Sequence, residues 1–431
     1  MPGTRFEPSG PLRGRLRPPS DKSISHRAAL IAAMGEGKAV IQGFLDAADT
    51  RSTLAATIAL GADVSRVRPA DNTGLIVTGV GLKGAKPAEI DVGNAGTLLR
   101  LLPGWLAGQE DGKWTLDGDE SIRRRPVDRI AVPLREMGAD LNARDDRLPP
   151  LEVSGAPLHG ITYEMPIASA QVKSCLLFAG LLAEGETRVI EPLASRDHTE
   201  RMLTAAGAPI ERDGDAVVVR PAEKLEVGHI SVPADISSAA FFIVAALLVA
   251  ESEVLLRTVN VNPTRTGLLT ILERMGAVID CEDMREVGRE PIATLRVRAA
   301  PLRATEVGGA EIPLAIDELP LVALAACFAE GTTTIRDAEE LRRKESDRIA
   351  TVTEALRALG GEVESTEDGM VIEGTGGLHG GTIDSHGDHR IAMLGAVAGL
   401  ASREGVEVIG MDAAAVSYPG FEADLASLLS R

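Results

Sequence analysis

Residues 235–259 read DISSAAFFIVAALLVAESEVLLRTV, and this stretch decides the fold. A polar start at Asp235, Ser237 and Ser238 leads into twelve consecutive apolar residues, Ala239–Ala250. A helix apolar all round has to be buried on every side. Twelve residues are too few to cross a bilayer, which takes about 20. After Ser252 the chain reads EVLLRTV, alternating as a half-buried strand does.

The same succession occurs six times along 431 residues. Buried helices are expected to begin near Ser23, Asn94, Ser169, Asp235, Asp317 and Asp388, at intervals of 71, 75, 66, 82 and 71 residues. The strands after them read KAVIQGF, KWTLDGD, ETRVIEP, EVLLRTV, TTTIRDA and VEVIGM. In five copies an amphipathic helix follows and breaks at Gly61, Gly138, Gly207, Gly276 or Gly360, as a helix does at a glycine just past its end. A last helix is expected over 421–429. Each copy is thus one α/β unit with an inner and an outer helix, and six copies make two similar lobes of three. A continuous solenoid is the alternative, which the short connections disfavour.

Composition narrows the function. The chain is 44% hydrophobic but only 3% aromatic, so aliphatic side chains pack its cores. A net charge of −18 argues against nucleic acid or an anionic membrane as partner. Cys175, Cys281 and Cys327 stand far apart, forming neither a disulfide framework nor a metal-ligand spacing, which suits a reducing cytoplasm. The Pro-rich N-terminal stretch lacks the apolar core of a signal peptide. The expectation is a soluble cytoplasmic protein, a monomer.

The unusual polar residues gather at the starts of the buried helices: Asp21–Arg27, Gly93–Thr97 with Arg100, Ser169–Gln171, Asp235–Ser238, Asp317–Pro320 and Gly387–Arg390. Capping explains Ser, Asn and Asp there. It does not explain Lys22, Arg27 and Arg390, cations at the end of a helix that favours anions. Such cations imply anionic ligand groups. The 341–348 stretch, LRRKESDR, adds four more cations; read as a helix, it puts Lys344 and Arg348 on one face of a cationic pocket with Glu345 beside it. The triple Arg123–Arg125 falls at the same lobe edge as the helix starts. His386 and His389 are spaced as metal ligands can be, but no third ligand accompanies them, and no metal is expected.

Taken in order, DKSISHR (21–27), GNAGT (93–97), RRPVDRI (124–130), SAQVKS (169–174), SRDHTERML (195–203), IDELP (316–320), LRRKESDR (341–348) and GDHRIAM (387–393) resemble the 5-enolpyruvylshikimate-3-phosphate synthases, from about Gly14 to Leu425. SAQVKS with SRDHTE is more similar to the second bacterial class than to the first. The resemblance implies two inside-out α/β barrels, each of three βαβαββ repeats with buried helices. It puts residues 20–234 in one lobe and 1–19 with 235–431 in the other, with the active site in the cleft between them. The implied reaction moves the enolpyruvyl group of phosphoenolpyruvate to the 5-hydroxyl of shikimate 3-phosphate, releasing phosphate, with no cofactor.

Carried over residue by residue, the resemblance gives shikimate 3-phosphate to Lys22, Ser23, Arg27, Ser169, Ala170, Gln171, Arg196, Asp317 and Lys344. Phosphoenolpyruvate falls to Lys22, Gly96, Arg125, Gln171, Arg348 and Arg390. Asp317, Glu345 and Lys22 take the catalytic roles, Asp317 accepting the hydroxyl proton and Glu345 protonating the methylene. Glyphosate is expected to inhibit at the phosphoenolpyruvate site, which Gly96 leaves roomy. Two positions depart from the first-class pattern: Val416 stands where a Lys precedes the aromatic-Pro pair, and Leu101 where Pro is frequent. The sister enzyme acting on UDP-N-acetylglucosamine carries a Cys in the loop corresponding to 118–125, and this loop has none. The other alternative, a non-catalytic phosphosugar-binding repeat protein, needs the cations but neither Asp317 nor Glu345.

Overall fold

A computed structural model describes residues 3–67 and 74–429. The six inner helices are Lys22–Met34, Gly96–Ala107, Ala170–Gly180, Ile236–Leu248, Leu319–Ala326 and His389–Ala401. Each is buried along nearly its whole length, as its composition requires.

Beside each inner helix lies a small sheet; the first five share one four-strand order and the sixth has three strands. In the second repeat Glu89–Asp91 pairs in parallel with Lys113–Asp117, which pairs antiparallel with Leu148–Ser154, and that strand with Asp140–Arg144. The inner helix links the parallel pair and the outer helix, Asp128–Glu136, leads to the hairpin, giving βαβαββ. The third and fifth repeats match it within their own sequence. Elsewhere the chain borrows strands. The first repeat takes His229–Ser231 as its parallel strand, the fourth takes Arg13–Leu16, and the sixth pairs Val406–Ile409 with Gly3–Phe6.

The outer helices end alike. Gly61, Gly138, Gly207, Gly276 and Gly360 all have positive φ, between 79° and 106°. Each donates its N–H to the carbonyl three residues back, and the next residue donates five back, as Gly61 does to Ile58 (2.9 Å) and Ala62 to Thr57 (3.0 Å). This is a Schellman cap, and a side chain in that left-handed conformation costs about 1 kcal/mol.

The repeats fall into two compact units. The first comprises Ser20–Val232 and the hairpin tip Glu286–Glu290, the latter a membership that the repeat pattern does not signal. The second comprises the residues up to Pro19, Pro233–Arg285 and those from Pro291 on. Each has its own hydrophobic core. In the second unit Phe241, Phe242, Tyr418 and Phe421 pack ring against ring, with centroids 5.5–5.9 Å apart. Among the described residues no helix is long and apolar enough to cross a membrane.

In the first unit the inner helices of repeats two and three meet backbone to backbone. A Cβ on Gly104 would stand 2.0 Å from the Cys175 carbonyl oxygen, so only glycine permits the approach. Gly104→Ala is expected to lower unfolding stability by about 1–3 kcal/mol through overpacking, read as the urea midpoint at unchanged slope. An unshifted midpoint would show that these helices separate freely.

Candidate active site

In the first unit, the candidate residues sit on three helix starts. Asp21 caps the first helix, its side chain accepting from the Ile24 N–H at 2.8 Å, which leaves Lys22 at the first helical position. Lys22 Nζ lies 3.0 Å from Asp49, a buried carboxylate. One turn on, Arg27 is buried and held by three acceptors: Thr199 Oγ1 (2.7 Å), Ser174 Oγ (2.9 Å) and the Ser23 carbonyl (3.0 Å). Fixed guanidinium geometry of this kind suits a planar anionic group.

At the second start Ala95 occupies the cap position and makes no side-chain cap bond. The neighbouring Asn94 instead accepts from Arg125 (2.9 Å) and donates to Asp119 (2.6 Å). Ser121 also accepts from Arg125, at 3.1 Å. A Cβ on Gly96 would meet the Arg125 and Arg100 guanidiniums at 3.0 and 3.1 Å. The third start joins this group. Gln171 accepts from Arg100 and donates to Thr97, both at 3.2 Å. Ser169 caps its helix at the Val172 N–H (3.4 Å), and Ala170 is the first helical residue. Arg196 is half-buried just before the His198–Ala205 helix.

In the second unit Arg348 is the centre. It donates to Asp388 (2.8 and 3.2 Å), to Glu345 (2.6 Å) and to Asp317 (3.4 Å). Burial works against its charge, but the carboxylates of Asp388, Glu345 and Asp317 outweigh that and raise its pKa above the ordinary arginine value. Burial likewise pushes the Asp388 carboxyl up, yet Arg348 wins and holds it below the usual range. Asp388 also caps the sixth inner helix and accepts from Ser346 (3.0 Å).

Asp317 also stands beside two further cations. Lys344 Nζ stands 3.5 Å from it and an Arg390 nitrogen 3.8 Å. Glu318, at the cap position of the fifth inner helix, makes no cap bond; it accepts from Arg390 (3.4 Å) and from the Ser237 hydroxyl. Ser237 in turn accepts from Arg265 (2.7 Å), which pairs with Asp235 (3.2 Å). One polar chain therefore runs through three repeats.

A family model described as EPSP synthase (3-phosphoshikimate 1-carboxyvinyltransferase) matches residues 6–425. The chain belongs to this family. Relatives named 3-phosphoshikimate 1-carboxyvinyltransferase from Synechococcus sp. and Gloeobacter violaceus are 49% and 50% identical, each alignment covering 97% of both chains. A solved EPSP synthase from Acinetobacter baumannii superposes with a TM-score of 0.88 at 41% identity, over 100% of this chain and 98% of that one. The fold is accordingly the α/β fold of EPSP synthases, with five four-stranded sheets and one three-stranded sheet among the described residues.

Against that family frame the structure corrects the reading of LRRKESDR. It is no single helix: a 3-10 turn ends at Arg343, and Asp347 caps a new helix, Arg348–Ala358. Arg342 turns to the Thr366 and Glu367 carbonyls and Arg343 pairs with Glu339, so neither joins the cluster. Nor is the cluster cationic with one carboxylate. Arg265, Lys344, Arg348 and Arg390 interleave with Asp235, Asp317, Glu318, Glu345 and Asp388. Buried cations demand such partners. Asp49 and Arg265 had no signal in sequence; Arg100 did, standing one turn into its helix. His386 is exposed beside Glu354 (3.4 Å), apart from the Asp197, His198 and Glu290 trio that alone among the described residues groups three possible metal-ligating side chains.

His26, fully buried behind Lys22, bonds Thr53 through Nδ1 (2.6 Å) and has no partner at Nε2. Burial, with Lys22 and Arg27 against the opposing pull of Asp49, pushes its pKa down to about 3. The unfolded chain therefore takes up this proton first, near pH 6.5, and stability falls as pH drops from there toward 3. His26→Asn is expected to flatten the pH dependence of urea unfolding by up to about 1.4 kcal/mol per unit between pH 6 and 4. Parallel profiles would refute it.

Proposed function

We propose that the chain transfers the enolpyruvyl group of phosphoenolpyruvate to the 5-hydroxyl of shikimate 3-phosphate, with the residues of both units serving that one reaction. The observation that carries the reading is the Asp317–Lys344–Arg348–Glu345 cluster: two carboxylates of unlike surroundings held on one buried guanidinium. A phosphosugar-binding repeat protein would need the cations alone.

In this reading Lys22, Ser23, Arg27, Ser169, Ala170, Gln171, Arg196 and Lys344 hold shikimate 3-phosphate. Lys22, Gly96, Arg125, Gln171, Arg348 and Arg390 hold phosphoenolpyruvate. Fixed cations and helix starts offset the charges of two phosphates and a carboxylate. Asp317 accepts the hydroxyl proton as the oxygen bonds to the enol carbon, and Glu345 delivers a proton to the methylene. Loss of phosphate and of one methyl proton restores the double bond, so the double bond moves with the transferred group. Lys344, Arg348 and Arg390 stand around Asp317, the carboxylate that receives the proton in this reading. The reading also takes the protein as a cytoplasmic monomer acting on small molecules alone, in keeping with its charge of −18.

Phosphate release from the two substrates tests the function; no release from folded protein would overturn it. Within that assay Glu345→Gln is expected to lower kcat by about 10²-fold or more with both KM values nearly kept, as loss of a general acid does. Full turnover in that variant would remove Glu345 from the role.

Gly96→Ala addresses specificity. The added methyl presses on the Arg125 and Arg100 guanidiniums, whose ends can yield by tenths of an ångström, and it occupies space beside the phosphoenolpyruvate residues. The unsubstituted protein is expected to be inhibited by glyphosate, and the variant to lose that inhibition by at least about tenfold more than it loses phosphoenolpyruvate affinity. Equal losses, or a parent protein indifferent to glyphosate, would show that Gly96 does not set this selectivity.

A further inference from the structure

We infer that Lys173 is a positioning residue for the shikimate 3-phosphate subsite, acting through the turn that carries Arg196; the inference rests on the assignment of Arg196 to that substrate. Lys173 lies in the third inner helix with its side chain fully buried. Its Nζ stands 2.9 Å from Glu191 Oε2, 2.7 Å from Glu200 Oε1 and 3.4 Å from the Ser195 carbonyl oxygen. Glu191 Oε1 in turn accepts from the Ser195 N–H (3.2 Å) and from the Ser195 hydroxyl. All three polar groups of Ser195 are therefore fixed by the Lys173–Glu191 pair, and the next residue is Arg196.

The fold alone does not call for this cation. Four residues past the cap, where the third repeat has Lys173, the others have Ser25, Leu99, Ala239, Val322 and Ala392. Those positions pack without charge, whereas a buried ammonium loses its hydration and is tolerated only with close partners. Burial presses on the partners too, holding the Glu200 carboxyl above its ordinary range despite the pull of Lys173. The charge is kept where it fixes two candidate ligands of one substrate. Glu200 lies in the helix His198–Ala205, whose Thr199 holds Arg27 at 2.7 Å, while Ser174, beside Lys173, holds it at 2.9 Å. Arg27 and Arg196 are thus tied to one buried ammonium; of the residues assigned to phosphoenolpyruvate, Gln171, which is assigned to both substrates, shares the helix of Lys173.

The consequence is a selective defect. Lys173→Met is expected to raise KM for shikimate 3-phosphate by about tenfold or more, with KM for phosphoenolpyruvate changed less than about twofold, and Lys173→Arg to restore part of the loss. A lower Tm with both KM values unchanged would mean that Lys173 only stabilises the unit, and would overturn the inference. Should Lys173→Met fail to fold, Ser195→Ala, which removes one hydroxyl from the same network, is expected to raise the same KM by a smaller factor; no rise overturns the inference equally. Arg196→Ala run alongside separates the two levels. If it leaves that KM unchanged, the Arg196 assignment fails and the inference with it; if it raises KM while the Lys173 and Ser195 variants do not, the inference alone fails.

Discussion

A helix wrapped on every side by apolar neighbours can meet polar chemistry only at its ends, and this constraint governs the molecule. The first N–H groups of such a helix must find acceptors. Asp21, Ser169, Asp235 and Asp388 supply them from their own side chains. At the other two starts Ala95 and Glu318 supply none, and there the nearby Asn94 and Asp317 are committed elsewhere, Asn94 to Arg125 and Asp317 to Lys344, Arg348 and Arg390.

Those cations are not interchangeable. Arg348 is almost wholly enclosed, bidentate on Asp388, and so belongs to the framework as much as to the site. Asp388 does double duty, ending a helix and anchoring a guanidinium, so the sixth inner helix and the start of Arg348–Ala358 cannot shift independently. Asp317 stands among three cations, 3.5 Å from Lys344, 3.4 Å from Arg348 and 3.8 Å from Arg390.

Much of the fold was legible because its signals are local. An all-round apolar helix, an alternating strand and a glycine past an outer helix can each be read within a few residues, and five glycines with positive φ answer to that reading. The borrowed strands could not be read so. Gly3–Phe6 pairs with residues some four hundred positions away, and no short stretch records it. The same division holds in the site. Motifs supply its candidate residues, but charge composition does not say which way a side chain turns, so Arg342 and Arg343 look like Lys344 and Arg348. Lys173 was invisible for a related reason: a lysine among apolar residues gives no sign of the two carboxylates, 18 and 27 residues on, that make its burial tolerable.

The borrowed strands also set an order of manufacture. Residues 20–232 form a nearly continuous unit whose sheets can close as soon as His229–Ser231 leaves the ribosome. Arg13–Leu16, made before any of it, pairs with Glu253–Leu256, 240 residues later. At translation rates of about 5–20 residues per second, that strand spends on the order of ten seconds or more with its edge uncovered. Its sequence suits the wait: RGRL carries two arginines and a glycine, and such an edge resists pairing with the wrong chain.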